Sequence, residues 1–285
     1  MTAELDHPYE IVDVFTDKPL HGNPLAVFTA GDEVPSRLMQ AAARELHLSE
    51  TVFVLSGDDE ADATIRIFTP DVELPFAGHP VLGTAFIVGE RQNLATVRLR
   101  TGVGIVPVRL TREYGELVFG EMDQPIPTVS VYDHSDELLG ALGVEGAPAL
   151  PIECYVNGPA HLIVALDDPE QVGALEPDML ALGRLGDFLT SCCALDGDGV
   201  KTRCFVPSLG VSEDPATGSA AGPLVLHLAR HGLLPFGTPV TVEQGAEIAR
   251  PSRLQARVEG SPELTEGVVV GGAAVPVARG HFRLQ

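Results

Sequence analysis

Apolar residues fall in short runs along the first third of the chain, and turn signals bound each run. Ile11-Val12-Asp13-Val14-Phe15 and Leu25-Ala26-Val27-Phe28 predict two strands joined through His21-Gly22-Asn23-Pro24. A helix is predicted from Pro35-Ser36 to about His47. Leu38, Met39, Ala42 and Leu46 recur there at helical spacing, with Ser36 placed to cap. Leu48-Ser49-Glu50-Thr51 then leads into the strand Val52-Phe53-Val54-Leu55, and further strands are predicted at 63–68, 95–100, 103–110 and 116–120. The polar, proline-broken stretch Met122 to Thr128 is the linker candidate.

The pattern repeats. Arg66-Ile67-Phe68-Thr69-Pro70 returns as Arg203-Cys204-Phe205-Val206-Pro207. Downstream, Pro75-Phe76-Ala77-Gly78-His79 matches Pro215-Ala216-Thr217-Gly218-Ser219, and each loop opens a helical run, 80–89 and roughly 220–231. A weaker echo links Gly22-Asn23-Pro24-Leu25-Ala26-Val27-Phe28 with Asn157-Gly158-Pro159-Ala160-His161-Leu162-Ile163. The offsets are about 135 to 140 residues, near half the chain, which predicts a duplicated α+β architecture. The expected halves are 1–127, to which a C-terminal strand at 276–285 returns, and 128–275. Equivalent loops of two such halves are expected to face each other across a cleft. A helix start offers unpaired N–H groups and a partial positive charge, so two converging starts suit an anion such as a carboxylate. Gly78 and Gly218 allow close backbone approach there.

Composition narrows the function. Against 18 Lys+Arg stand 40 Asp+Glu, a formal net charge of −22, which repels phosphate backbones and anionic lipid. Nucleic-acid binding is therefore disfavoured. No apolar run approaches the length of a membrane span, and the N-terminus carries no basic flank, so a soluble cytoplasmic protein is expected. The four cysteines, at 154, 192, 193 and 204, show no metal or redox spacing, and Cys192-Cys193 reads as two small apolar residues at a strand start. His227 and His231 stand four apart on a predicted helix, but no Glu lies between them in the zinc-protease arrangement, so no metal site is assigned.

HGNPLAVF, LSETVFVL, RIFTPDVELPFAGHPVLGTA and EDPATGSAAGPL together resemble the PhzF-like family of phenazine-biosynthesis isomerases, over 8 to about 284. That family shares its fold with diaminopimelate epimerase. The resemblance implies two pseudo-symmetric hotdog-like halves, each a curved sheet around a central helix, and a homodimer. It implies a proton-shift isomerisation of a small unsaturated carboxylate such as dihydrohydroxyanthranilate, with no metal or organic cofactor. Carried onto matching positions, it makes Glu50 of LSET the acid/base, with His79 and Asp214 as catalytic companions. Gly78, Gly218 and Ser219 become the substrate-binding positions.

The residues themselves bear on mechanism. Epimerases of the related type oppose two thiols, one from each half, but residues 73–80 and 212–220 contain no cysteine. A single carboxyl shuttling a proton on one face fits better. Leu48 and Val52-Phe53-Val54 flank Glu50 and are expected to raise its pKa by desolvation. Pro80 suits a first helical turn and leaves His79 at the helix mouth. Asp214 is expected to cap a turn or to orient His79 or a substrate amine, and Ser219 to cap its helix, contact ligand, or both. Two other readings compete. One is an amino-acid racemase or epimerase on the same scaffold; the other is a small-acid-binding protein without turnover.

Overall fold

A computed structural model describes residues 6–284. The chain forms two compact units, one running to Met122 and resuming at Gly271, the other spanning Asp123–Val270.

In the first unit, β1 (Asp6–Val14) pairs antiparallel with β2 (Asn23–Phe28). Helix α1 (Ser36–Leu46) crosses to β3 (Glu50–Ser56), which lies parallel to β2, and β4 (Ala63–Phe68) returns antiparallel to β3. After the two-residue β5 (Glu73–Leu74), helix α2 (Gly78–Gln92) crosses to β6 (Thr96–Thr101), parallel to β4. Antiparallel β7 (Gly104–Glu113) and β8 (Glu116–Gln124) follow, and the C-terminal strand Ala274–Arg283 pairs with β1. Met122-Asp123-Gln124 is thus the end of β8, not linker.

Helix α2 is the axis of this unit. Every residue from Gly78 to Gly89 is buried, so this stretch turns no face to solvent and is apolar apart from His79 and Thr84. Gly83 permits the close approach, since a Cβ there would stand 2.7 Å from Val14 Cγ2 and 2.8 Å from Leu25 Cδ2. Helix α1 covers the other face through Met39, Ala42 and Ala43, packed with Phe28, Phe53 and Phe68. Phe28 and Phe53 stack at 4.6 Å. Burying each such ring stabilises by about 1.5–3 kcal/mol. The expected Ser36 cap is not formed: Pro35 takes the N-cap position, and the Ser36 hydroxyl accepts from Arg66 Nη1 at 2.7 Å.

The second unit opens with β9 (Thr128–Val131), α3 (Ser135–Leu142) and β10 (Glu153–Val156), which is antiparallel to β9. Then β11 (Ala160–Ala165) pairs antiparallel with β10; short helices α4 (Pro169–Gly173) and α5 (Met179–Arg184) lead to β12 (Phe188–Asp196), parallel to β11. Next come β13 (Gly199–Val206) and β14 (Val211–Asp214), each antiparallel to the strand before it. Helix α6 (Gly218–Arg230) crosses to β15 (Val240–Gln244), parallel to β13, followed by antiparallel β16 (Ser252–Gly260) and by β17 (Thr265–Gly272). The C-terminal strand is β18.

The duplication is therefore topological as well as textual. In each unit a hairpin is followed by a parallel crossover, an antiparallel return, a two- to four-residue strand, a buried helix and a second parallel crossover. The fold is α+β. Vicinal Cys192 and Cys193 lie in the middle of β12, not at its start, and both are buried. Helix α6 ends at a glycine in the left-handed region: Gly232 has φ +77°, and Leu233 N–H donates to Leu228 O.

Candidate active site

Three element starts meet in the first unit. Asn23 opens β2, Glu50 opens β3, and His79 is the second residue of α2. Parallel pairing sets Leu25 opposite Glu50, which brings the starts of β2 and β3 to the same end of the sheet. His79 Nε2 lies 3.4 Å from Glu50 Oε2, and His79 Nδ1 lies 3.3 Å from Asn23 Nδ2. Asn23 and His79 are buried, and the Glu50 side chain is 14% exposed. Burial pushes the His79 imidazole down to about 3, so the ring is neutral at neutral pH. Ala77 takes the N-cap of α2 in an extended conformation and makes no side-chain cap bond. The mouth of the helix thus keeps the N–H groups and partial positive charge that an anion seeks.

The second unit builds its helix mouth with more support. Asp214 ends β14, and its Oδ2 accepts from Thr217 Oγ1 at 2.7 Å. Gln244, at the end of β15, clasps the loop. Its Oε1 accepts from Thr217 N–H at 3.0 Å, and its Nε2 donates to Asp214 O at 2.7 Å and to Thr217 Oγ1 at 3.0 Å. Ser252 Oγ donates to Pro215 O at 3.0 Å. Thr217, not Ser219, holds the N-cap position of α6, again without a side-chain cap bond. Ser219 is the second residue of the helix and is buried, so its expected capping role is not taken up.

Two further amides reach the first turn of α6. Pro223 lies inside the helix and has no N–H to offer the carbonyl four residues earlier, that of Ser219. Asn157 Nδ2 donates to that carbonyl at 2.9 Å. Gln124 Nε2 donates to Gly218 O at 2.7 Å. Gly222 leaves the room for it, since a Cβ there would stand 2.6 Å from Gln124 Oε1. With the carbonyls of Gly218 and Ser219 tied, the peptide planes at the helix mouth are fixed.

The halves are alike in frame and unlike in chemistry. In register, Ala160 pairs with Phe188 as Leu25 pairs with Glu50, so an aromatic ring stands where the first half has its carboxylate. Ser219 stands where the first half has His79. The thiols do not make up the difference. Burial pushes Cys204 and Cys193 up to about 12 and raises Cys192 well above the ordinary thiol value, so none of the three is a thiolate at neutral pH.

Sequence reading picked out Glu50, His79, Asp214, Gly78, Gly218 and Ser219. It missed Asn23 as a partner of His79, although HGNP had been noted as a turn. It also missed Gln124, Asn157 and Gln244, whose partners lie 27 to 94 residues away in sequence. The His227–His231 pair gains a third member from β10: Glu153, His227 and His231 bring ligand-type atoms within 4.8 Å of one another. Arg230 Nη1 already sits 2.9 Å from the same Glu153 Oε2 that faces both histidines, and Tyr155 OH donates to it at 2.7 Å. Burial works to raise the Glu153 pKa, but the hydrogen bonds and the Arg230 charge outweigh it and hold the carboxyl below its ordinary value. Burial pushes His227 down to about 4. This group is a charge network anchoring the end of α6 to β10.

A family model described as phenazine biosynthesis-like protein matches residues 12–280, and the chain belongs to that family, which includes PhzF. It is 47% identical to a trans-2,3-dihydro-3-hydroxyanthranilate isomerase of Pseudomonas aeruginosa, over 98% of this chain and all of that one. Among solved structures, a PhzF-family phenazine biosynthesis protein of Bacillus anthracis superposes with a TM-score of 0.84 at 27% identity, covering 98% and 99% of the two chains. A hydroxyproline epimerase from Agrobacterium vitis has the same fold, with a TM-score of 0.73 at 15% identity over 100% and 94%. The protein is an isomerase of the PhzF type.

Proposed function

We propose that this isomerase acts on trans-2,3-dihydro-3-hydroxyanthranilate or a near relative, and that Glu50 carries the proton. The observation that supports it most is the asymmetry of the two halves: a carboxylate beside a neutral histidine in one, phenylalanine and serine at the matching places in the other. A two-base epimerase needs an acid/base group on each face of the reacting carbon. A one-base shuttle needs one, able to give and take a proton on the same face.

A 2,3-dihydroanthranilate keeps two conjugated ring double bonds leading to its carboxylate. Removing a proton from the saturated carbon at the far end spreads charge through the diene to the acid group. Returning the proton to another carbon of the same system gives the isomer. Glu50 takes the proton and returns it; His79 donates a hydrogen bond to the carboxyl or to the substrate. Gly78 and the α2 mouth hold the substrate carboxylate, where developing charge is stabilised. In the second half, Asp214 serves as a catalytic companion and Gly218 and Ser219 as substrate-binding positions, as the resemblance implies.

The test is turnover of trans-2,3-dihydro-3-hydroxyanthranilate by the wild type and by Glu50→Gln. General acid–base catalysis contributes about 10²–10⁴-fold, and kcat should fall by that factor while substrate binding persists. Racemisation of ordinary L-amino acids by the wild type, with no turnover of the dihydroanthranilate, would overturn the reading. No helix among the described residues is long and apolar enough to cross a membrane. A cytoplasmic homodimer completes the proposal. Exposed Ile126, Val131 and Val156, at or near the β9–β10 pair, support an association surface, and light scattering reads the mass.

A further inference from the structure

We propose that Asn23 is a positioning residue that holds His79 as the neutral Nε2–H tautomer, with that N–H turned to Glu50. The inference rests on the acid/base reading of Glu50 only for its catalytic meaning; its geometry stands by itself.

An amide nitrogen donates and does not accept, so the ring nitrogen that faces it must carry a lone pair. Asn23 Nδ2 faces His79 Nδ1 at 3.3 Å. The single proton of a neutral imidazole is then on Nε2, the nitrogen 3.4 Å from Glu50 Oε2. Nε2 makes no hydrogen bond. Its N–H is close enough to the carboxylate to interact with it, and it is not committed to any other group.

The backbone around Asn23 is built to be rigid. Gly22 has φ +66°, in the left-handed region, and a Cβ there would stand 2.6 Å from Thr16 Cγ2. Pro24 follows and restricts Asn23 to extended conformations. Asn23 then pairs with Val14 in the β1–β2 ladder. Its side chain is fully buried, so the amide has few places to go. The second half uses the same device at the same place: Asn157, in the equivalent turn, donates to the second residue of the equivalent helix. There the acceptor is a backbone carbonyl and no tautomer is at stake. In the first half the acceptor is a ring nitrogen, so the amide sets chemistry as well as structure.

This division of labour leaves Glu50 as the only group in its unit's trio able to exchange a proton. A neutral Nε2–H imidazole donates a hydrogen bond to a carboxylate and gives up no proton at neutral pH. The inverse tautomer would face Glu50 with a lone pair and repel it.

The test is a long-range ¹H–¹⁵N correlation spectrum of protein labelled with ¹⁵N-histidine, the His79 signals being assigned by their absence in His79→Gln. The expected result at neutral pH is an unprotonated Nδ1 and a protonated Nε2. In Asn23→Asp a carboxylate replaces the donor, so the proton should move to Nδ1 or the ring should take up a second one. In that variant kcat should drop at least about 10-fold while KM holds. A wild-type spectrum showing Nδ1–H, or an imidazolium, overturns the proposal, and it does so even if Asn23→Asp does not fold. An unchanged tautomer in folded Asn23→Asp overturns it as well. If the tautomer is as stated but Glu50→Gln still turns over, the acid/base reading fails and the role of Asn23 stands.

Discussion

Pro223 and Asn157 should behave as one unit. Pro223 denies the Ser219 carbonyl its usual helical donor, and Asn157 Nδ2 replaces that donor at 2.9 Å. Both Ser219 and Asn157 are 4% exposed, so water does not substitute when the amide is removed. Asn157→Ala should therefore lose the hydrogen bond and leave a desolvated carbonyl, about 1–3 kcal/mol. In a chain of this size that lowers Tm by roughly 2 °C per kcal/mol. Asn157 Oδ1 itself has no hydrogen-bond partner, so its removal returns part of the loss; that part is common to both backgrounds and cancels in a cycle. In Pro223→Ala, residue 223 regains an N–H and can serve the Ser219 carbonyl within the helix. Asn157→Ala should then cost much less, and the coupling energy of the cycle should be about 1–2 kcal/mol. Urea denaturation of the four proteins, followed by far-UV circular dichroism, reads it. Additivity within about 0.5 kcal/mol would refute the pairing and with it the account of how the α6 mouth is shaped.

Two more consequences follow from the same packing. Gly222→Ala places a methyl group against Gln124 Oε1 and should push that amide off the Gly218 carbonyl, lowering stability by about 1–3 kcal/mol in the same denaturation assay. His161 is fully buried, neither ring nitrogen has a hydrogen-bond partner, and burial pushes its pKa down to about 3. The unfolded chain binds a proton there near pH 6.5 and the folded chain does not, so the stability from neutral His161 is present above pH 6.5 and lost as pH falls toward 3. His161→Leu should flatten stability against pH in that window by about 1 kcal/mol per pH unit, read from urea midpoints between pH 4 and 7; an unchanged slope would show that His161 is not desolvated as described.

What the sequence made legible depended on signals carried by neighbouring residues. Helix α1 shows a 3.6-residue period because one face meets Phe28 and Phe53 and the other meets water. Helix α2 is covered on all sides, so its run of apolar residues identified it without a stripe, and its true start two residues earlier came from the glycine and histidine of the loop. The N-terminal half of β1 alternates weakly, and its pairing is supplied by residues at the far end of the chain. Helices α4 and α5 have five and six residues, too short for a period, and only their capping aspartates, Asp168 and Asp178, mark them. In the candidate site, Glu50 and His79 could be singled out because LSET and FAGHP carry the family resemblance at those positions. Asn23, Gln124, Asn157 and Gln244 could not, because an amide's partner is set by tertiary register and not by spacing. Of the two roles open to Ser219, capping falls away because Thr217, two residues earlier, already holds that position.

The central claim is that one carboxyl, Glu50, moves the proton. The most direct measurement is turnover of trans-2,3-dihydro-3-hydroxyanthranilate in D2O by wild type and by Glu50→Gln, with deuterium located by NMR. The account predicts that the wild type places a hydrogen on a ring carbon that carried none in the substrate, deuterium to the extent that the Glu50 carboxyl exchanges with solvent between taking and returning it, and that the variant places neither isotope there. Label at that carbon in Glu50→Gln at the wild-type rate would contradict it.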